Sequence, residues 1–120
     1  MNINFDFTNK KILIVGAGKV ALRRLRKIVN QKIECKVKII SPVTLPKIDL
    51  IADKNKNISI FKRKYKKNDI KDQNIILACT NELEINKKIS HDAIKSNLLV
   101  NNASDKELSN FFFTSNIKLD

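Results

Sequence analysis

The chain is short of glycine: Gly16 and Gly18 are its only two in 120 residues, where an average soluble sequence of this length carries roughly eight. That shortage excludes collagen-like repeats and glycine-rich linkers. Cysteine is as sparse. Cys35 and Cys79 lie far apart, each in an apolar, strand-like run, so they read as buried thiols of a reducing compartment and not as a disulfide framework or metal knuckle. His91 is the only histidine, and no His/Cys/Asp cluster has ligand spacing, so no metal site is expected. No apolar stretch reaches the roughly 18 residues of a spanning helix, and the lysines of MNINFDFTNKK follow its apolar residues, the wrong order for a secretory signal. A cytoplasmic location with no membrane partner is the expectation.

What is present begins with one domain's worth of chain, 42% of it hydrophobic, enough for a sizeable core. Twenty-four Lys and Arg stand against 12 Asp and Glu, a formal charge of +12, which directs attention to anionic partners. Nucleic acid is not expected, because the aromatics cluster at 111–113 and no RNA-binding aromatic motif or helix-turn-helix signal accompanies the charge.

Strand and helix patterns alternate. Residues 11–16 (KILIVG) form a short apolar run, and the following KVALRRLRKIVNQ sets Ala21, Leu25 and Ile28 on one helical face. Residues 34–40 read as a second strand, closed by Ser41-Pro42 because the residue before proline resists the helical region. A short helix is expected over 46–52 and a charged β segment over 58–65. Residues 74–80 (NIILACT) are apolar without alternation, which suits a parallel strand covered on both faces. The next segment places Leu83, Ile85, Ile89, Ala93 and Ile94 at largely helical spacing, with Asn81 and Glu84 as a capping pair. A short strand over 98–102 completes the series. The pattern predicts a Rossmann-like α/β fold, a doubly wound parallel sheet of about five strands in three layers.

Both glycines fall in one turn. Gly16, Ala17, Gly18, Lys19, Val20 and Ala21 make a GxGxxA string directly after a strand and opening a helix, the context in which that string points to a dinucleotide. Gly16 permits the tight turn, Gly18 lets a pyrophosphate approach the backbone, and Ala21 allows close helix packing. A purely structural glycine turn is the plainer alternative. The acid that holds the adenosine ribose, expected about 20 residues on, is missing: Glu34 falls at the start of the second strand and Asp49 well past its end. Ser41 can bond a ribose hydroxyl, Lys36 or Lys38 can favour an extra phosphate, and NAD versus NADP stays open. Thr80 and Asn81, ending the fourth strand, face the same crevice or cap the next helix.

Together FDFTNKKILIVGAGKVALRRLRKIV, VKIISP, NIILACTNELEINKKI and LLVNNASDKELSNFFFTS resemble precorrin-2 dehydrogenases and the dehydrogenase domain of siroheme synthases, over about 110 of the 120 residues. The resemblance implies NAD-dependent oxidation of precorrin-2 to sirohydrochlorin. It assigns residues 16–20 to the pyrophosphate, Ser41 to the adenosine ribose, and Thr80, Asn81, Asn101 and the following residues through Ala103 to the nicotinamide and substrate. It also gives the charge a meaning, since the substrate is an octacarboxylic macrocycle that a basic rim would steer and hold. Residues 19–38 and 54–71 each carry eight Lys or Arg and one acid, though such runs are more often solvated faces.

Two departures accompany the resemblance. The family's catalytic aspartate is replaced by Ser104, with Asp105 beside it as the candidate base; its plainer role is to cap the segment 106–108. The chain also stops at Asp120, so residues 1–114 are expected to form the dinucleotide domain and 115–120 the start of a missing or shortened C-terminal region that in the family builds a homodimer. Thr114 stands where the family commonly has proline. A non-catalytic dinucleotide-binding or sensing module is the competing reading. His91 gives no support to iron insertion.

Overall fold

The computed structural model describes residues 6–113; Thr114 and the boundary expected there lie outside them. Its strands are β1 (Lys11–Val15), β2 (Lys36–Ile40), β3 (Ile58–Phe61), β4 (Ile75–Ala78) and β5 (Leu99–Asn102), and its helices are α1 (Lys19–Asn30), α2 (Pro46–Asp53) and α3 (Leu83–Lys95). The five strands run parallel in the order β3-β2-β1-β4-β5. The chain thus winds one way from β1 to β3, crosses back, and winds the other way through β4 and β5. The reversal lies between β1 and β4, where their carboxyl ends open a crevice.

Alternate residues of β1 feed two cores, which is why its sequence shows no polar face. Ile12 and Ile14 join Ala21, Leu22, Leu25 and Ile28 of α1, Ile48 of α2, Phe7 and Phe111. Leu13 and Val15 join Ile89 and Ala93 of α3 and Ile70 of the 3-10 turn Lys67–Ile70. The result is three layers, with α1 and α2 on one face and α3 on the other.

Several expected boundaries move. β3 ends at Phe61, because the charged residues beyond it turn away to brace the β3–β4 connection. The expected apolar face of α3 is half right: Ile89 and Ala93 are buried, but Leu83 and Ile94 are exposed. Asn86 and Ser90 take the core positions instead, both fully buried. The Asn81 and Glu84 capping pair does not form; α3 starts after Glu82 with no side-chain cap. Cys35 and Cys79 are free and buried, His91 is exposed, and no group of metal-binding side chains occurs among the described residues. No helix among them is long and apolar enough to cross a membrane.

Candidate functional site

A cleft of about 730 Å³ sits at the sheet reversal, within the size range of small-ligand sites. Gly16, Ala17, Gly18, Lys19, Val20, Ser41, Thr80 and Asn81, all singled out from sequence, line it together. The turn is fixed from both sides: Gly16 N–H donates to Ile40 O (2.8 Å), Cys79 N–H to Val15 O (2.8 Å), and Leu45 N–H to Ala17 O (3.0 Å).

The two glycines do different things. Gly16 has φ +110°, and a Cβ there would sit 2.5 Å from the Cys79 carbonyl oxygen and 2.9 Å from the Thr80 nitrogen. It is glycine because β4 passes against it in a backbone conformation L side chains rarely adopt. A Cβ on Gly18 would meet nothing within 4 Å. Gly18 therefore borders open space, the room a pyrophosphate needs. Beyond it Leu22 N–H bonds Gly18 O (2.9 Å), and the amides before Leu22 are left as the unsatisfied start of a helix. No side chain caps that end and no acid lies in the first turn, so its positive field is uncontested and suits an anion.

At the β2 end Ser41 is buried and donates its hydroxyl to Val43 O (2.7 Å). No carboxylate stands there. Lys36 is at the opposite end of β2 and Lys38 pairs with Asp69 (3.8 Å), so neither lysine that the sequence offered for an extra phosphate lines the cleft. Lys64 and Tyr65 also line the cleft. Tyr65 donates its hydroxyl to Asp92 (2.8 Å); burial, then that bond, pushes its pKa up.

Asp69 organises the segment that carries both and was not singled out, although it is the one acid of the basic segment 54–71. It is 4% exposed and accepts two bonds from Arg63 (2.6 and 3.0 Å) and one from Lys66 N–H (2.7 Å). Burial opposes its ionisation, but the Arg63 and Lys66 hydrogen bonds and the charges of Arg63 and Lys38 together hold the carboxyl below its ordinary range.

The β4 end is tied by Asn86. Its Oδ1 accepts from Thr80 N–H (3.0 Å) and the Thr80 hydroxyl (2.6 Å), and its Nδ2 donates to Thr80 O (2.9 Å) and Ser104 Oγ (3.2 Å). A polar residue at a buried helical position, one turn before Ile89, was the available signal for this knot.

The β5 edge is arranged differently. Neither Asn101 nor Asp105 lines the cleft. Asn101 is buried, donates Nδ2 to Phe111 O (2.9 Å), and keeps an Oδ1 without a partner. Asn102 bonds Asn86 O (3.2 Å) and Ser90 Oγ (2.9 Å). The Ser104 hydroxyl donates to Asn102 Oδ1 (2.7 Å). Asp105 is exposed and its Oδ1 accepts from Glu107 N–H (2.9 Å), capping the 3-10 turn Lys106–Leu108.

On the α1 face, Arg24 stacks over Phe113 (4.5 Å to the ring centre), and its Nε is buried without a hydrogen-bond partner. Burial lowers its pKa, with Arg23 adding to the effect. Burial likewise pushes the Cys79 thiol up to about 12, against the pull of Arg24 and Arg23. Cys79 is therefore a neutral thiol and not a nucleophile at ordinary pH.

Residues 3–115 match the family described as "Putative NAD(P)-binding". The chain is 31% identical to the precorrin-2 dehydrogenase of Bacillus subtilis over 97% of its own length and 69% of that enzyme. It is 28% identical to the siroheme synthase of Vesicomyosocius okutanii over 94% of its length but 24% of that protein. Among solved structures it matches SirC, a precorrin-2 dehydrogenase, with TM-score 0.81 at 22% identity, covering 96% of this chain and 55% of that one. That match supports the fold. The chain spans about two thirds of the Bacillus enzyme and about a quarter of the siroheme synthase. The open glycine turn, the crevice at the sheet reversal and these matches together place the chain in the NAD(P)-binding family that includes precorrin-2 dehydrogenases and the NAD-binding domains of siroheme synthases.

Proposed function

We propose that the protein takes part in NAD-dependent oxidation of precorrin-2 to sirohydrochlorin. The observation that carries the reading is the open space over Gly18 at an uncapped helix start, inside a cleft at the sheet reversal. The residues fit a dinucleotide: 16–20 hold the pyrophosphate on backbone amides, Ser41 borders the adenosine ribose, and Thr80 and Asn81 border the nicotinamide end. When bound, the nicotinamide supplies the hydride acceptor.

The chain's own residues do the rest. Asn101, buried at the end of β5 and outside the lining of the cleft, contributes through the packing of that edge. The positive charge of α1, with Arg23, Arg24 and Arg26, suits a substrate with many carboxylates, which a homodimer would enclose. Oxidation removes one hydride and one proton. We assign the proton to Asp105, because the Ser104 hydroxyl is committed to Asn102 while Asp105 is an exposed carboxylate of the same loop. Asp105→Asn keeps a capping side chain and removes the base, so it should abolish NADH formation from precorrin-2 in the full-length protein while leaving dinucleotide affinity unchanged. Unaltered turnover would remove Asp105 from the chemistry.

A second reading has one specific observation behind it. Ser104 occupies the place of the family's aspartate and is absorbed into the Asn86 and Asn102 network, which favours a dinucleotide-binding module without turnover. Cofactor binding with no sirohydrochlorin absorbance from the full-length protein would decide for it.

A further inference from the structure

We propose that Asn86 is a positioning residue for the hydride transfer, its buried side chain holding the loop after β4 and the loop after β5 at a fixed separation. The proposal rests on the NAD-dependent reading above and adds to it the device that sets the cofactor loop against the loop of Asp105.

β4 and β5 are neighbours whose last paired residues are Ala78 and Asn102. Ala103 N–H still donates to Ala78 O (3.0 Å) beyond that pair. Thr80 and Ser104 each stand two residues past it. Thr80 lines the cleft with Asn81, and Ser104 precedes Asp105. The Asn86 amide joins them. Its Oδ1 takes the Thr80 N–H (3.0 Å) and hydroxyl (2.6 Å), while its Nδ2 gives one bond to Thr80 O (2.9 Å) and one to Ser104 Oγ (3.2 Å). Both lone-pair positions and both N–H groups of the amide are used.

A helix that only had to pack on the sheet would not need this. Asn86 is 0% exposed near the start of α3, where an apolar side chain would fill the space without dehydrating an amide. Nor does it cap the helix. Its own N–H bonds Glu82 O (3.1 Å), and Glu82, at the cap position, makes no side-chain capping bond. The amide's partners lie in the two loops. One turn further along α3, buried Ser90 accepts from Asn102 Nδ2 (2.9 Å), which also reaches Asn86 O (3.2 Å). Asn102 Oδ1 in turn accepts from the Ser104 N–H (2.9 Å) and hydroxyl (2.7 Å), so Ser104 is held by Asn86 and Asn102 together. Thr80 spends its polar groups on Asn86 and Glu82, which leaves the exposed Asn81 as that loop's side chain for a ligand. Spacing of this kind matters to the chemistry, since a misplacement of about 1 Å can cost about 100-fold in rate.

The test compares the full-length wild type with two variants. Ser104→Ala cuts the bond between the loops and leaves every Thr80 bond in place; Asn86→Ala removes both sides. With no cofactor present, hydrogen exchange followed by NMR should show the Thr80 amide exchanging about fivefold faster in Ser104→Ala, although that substitution does not touch it. NADH formation is then measured with precorrin-2 and NAD+ saturating, and normalised to the sites that bind NAD+ in calorimetric titration. kcat per site should fall about fivefold in Ser104→Ala and about thirtyfold in Asn86→Ala, with Kd for NAD+ within about twofold of the wild type. A residue that only stabilised the fold would lower the number of binding sites and leave kcat per site unchanged. That result, or Thr80 exchange unmoved by Ser104→Ala, overturns the positioning role. If Asn86→Ala does not fold, Ser104→Ala decides by the same two criteria. Absence of NADH formation by the wild type overturns the functional reading and the positioning role with it, whereas wild-type turnover with unchanged kcat per site in the variants overturns this inference alone.

Discussion

The glycine turn after β1 and the loop after β5 form two rims above the carboxyl ends of the strands, and they use their polar groups in opposite ways. At the glycine turn, backbone amides are left without partners, no side chain caps the helix, and the space over Gly18 is open. After β5, Asn102, Ser104 and Asp105 satisfy one another, their neighbours and the Lys106–Leu108 turn. One rim holds its donors for something outside the chain. The other spends nearly all of its polar groups on its own shape, with the acceptor Asn101 Oδ1 as the exception among the described residues. A polar group left unsatisfied in a folded chain costs free energy, so where such groups collect is more informative than where polar residues are merely frequent.

Five variants test that contrast. The largest effect belongs to Gly16→Ala, which forces a Cβ to 2.5 Å from the Cys79 carbonyl oxygen at φ +110°. It should cost about 3–5 kcal/mol of stability in thermal or denaturant unfolding. Gly18→Ala is its control: stability should stay within about 1 kcal/mol, while dinucleotide affinity falls by about tenfold, read by titration. Asn86→Ala comes next, because it strips the Thr80 amide and hydroxyl and Ser104 of a fully buried partner. About 2–4 kcal/mol should be lost in denaturant unfolding.

Asp69→Asn tests the brace behind Lys64, and about 1–2 kcal/mol is expected because Arg63 and Lys38 are partly exposed and screened. The sign of its pH dependence is fixed by the lowered pKa. The carboxylate's contribution is present above the unfolded value near ~3.9 and is lost as pH falls through the lower folded value. Acid unfolding monitored by circular dichroism should therefore show a shallower loss in Asp69→Asn than in the wild type. The smallest effect is Asp105→Ala, which removes a single exposed cap and should cost about 0.5–1 kcal/mol in the same unfolding measurement. A larger loss would mean that the β5 rim depends on Asp105 for more than the Lys106–Leu108 turn.

The sheet was legible in the sequence because parallel strands buried on both faces leave uninterrupted apolar runs, as in residues 11–15 and 75–78. The glycine turn was legible because it held the only glycines in the chain. What escaped was set by long-range polar pairing. Asn86 looks like an ordinary surface residue of a helix until Thr80 and Ser104 are brought to it. Asp69 is a lone acid among lysines until Arg63 folds back onto it. Leu83 and Ile94 obey helical spacing yet stay exposed, since Asn86 and Ser90 occupy the face that the spacing reserved for them. The choice of Lys36 or Lys38 as phosphate partners failed for the same reason, because strand position and ion pairing, not proximity in sequence, decide which lysine lines the cleft.

The account's central claim is that the open amides after Gly18 are the cradle for a dinucleotide. Titrating isotope-labelled protein with NAD+ while following backbone amide resonances tests it most directly. The account predicts saturable shifts that are largest at Gly18, Lys19 and Val20, with smaller ones at Ser41 and Thr80. Saturation with those amides unmoved, or shifts confined to the lysine-rich surfaces, would contradict it.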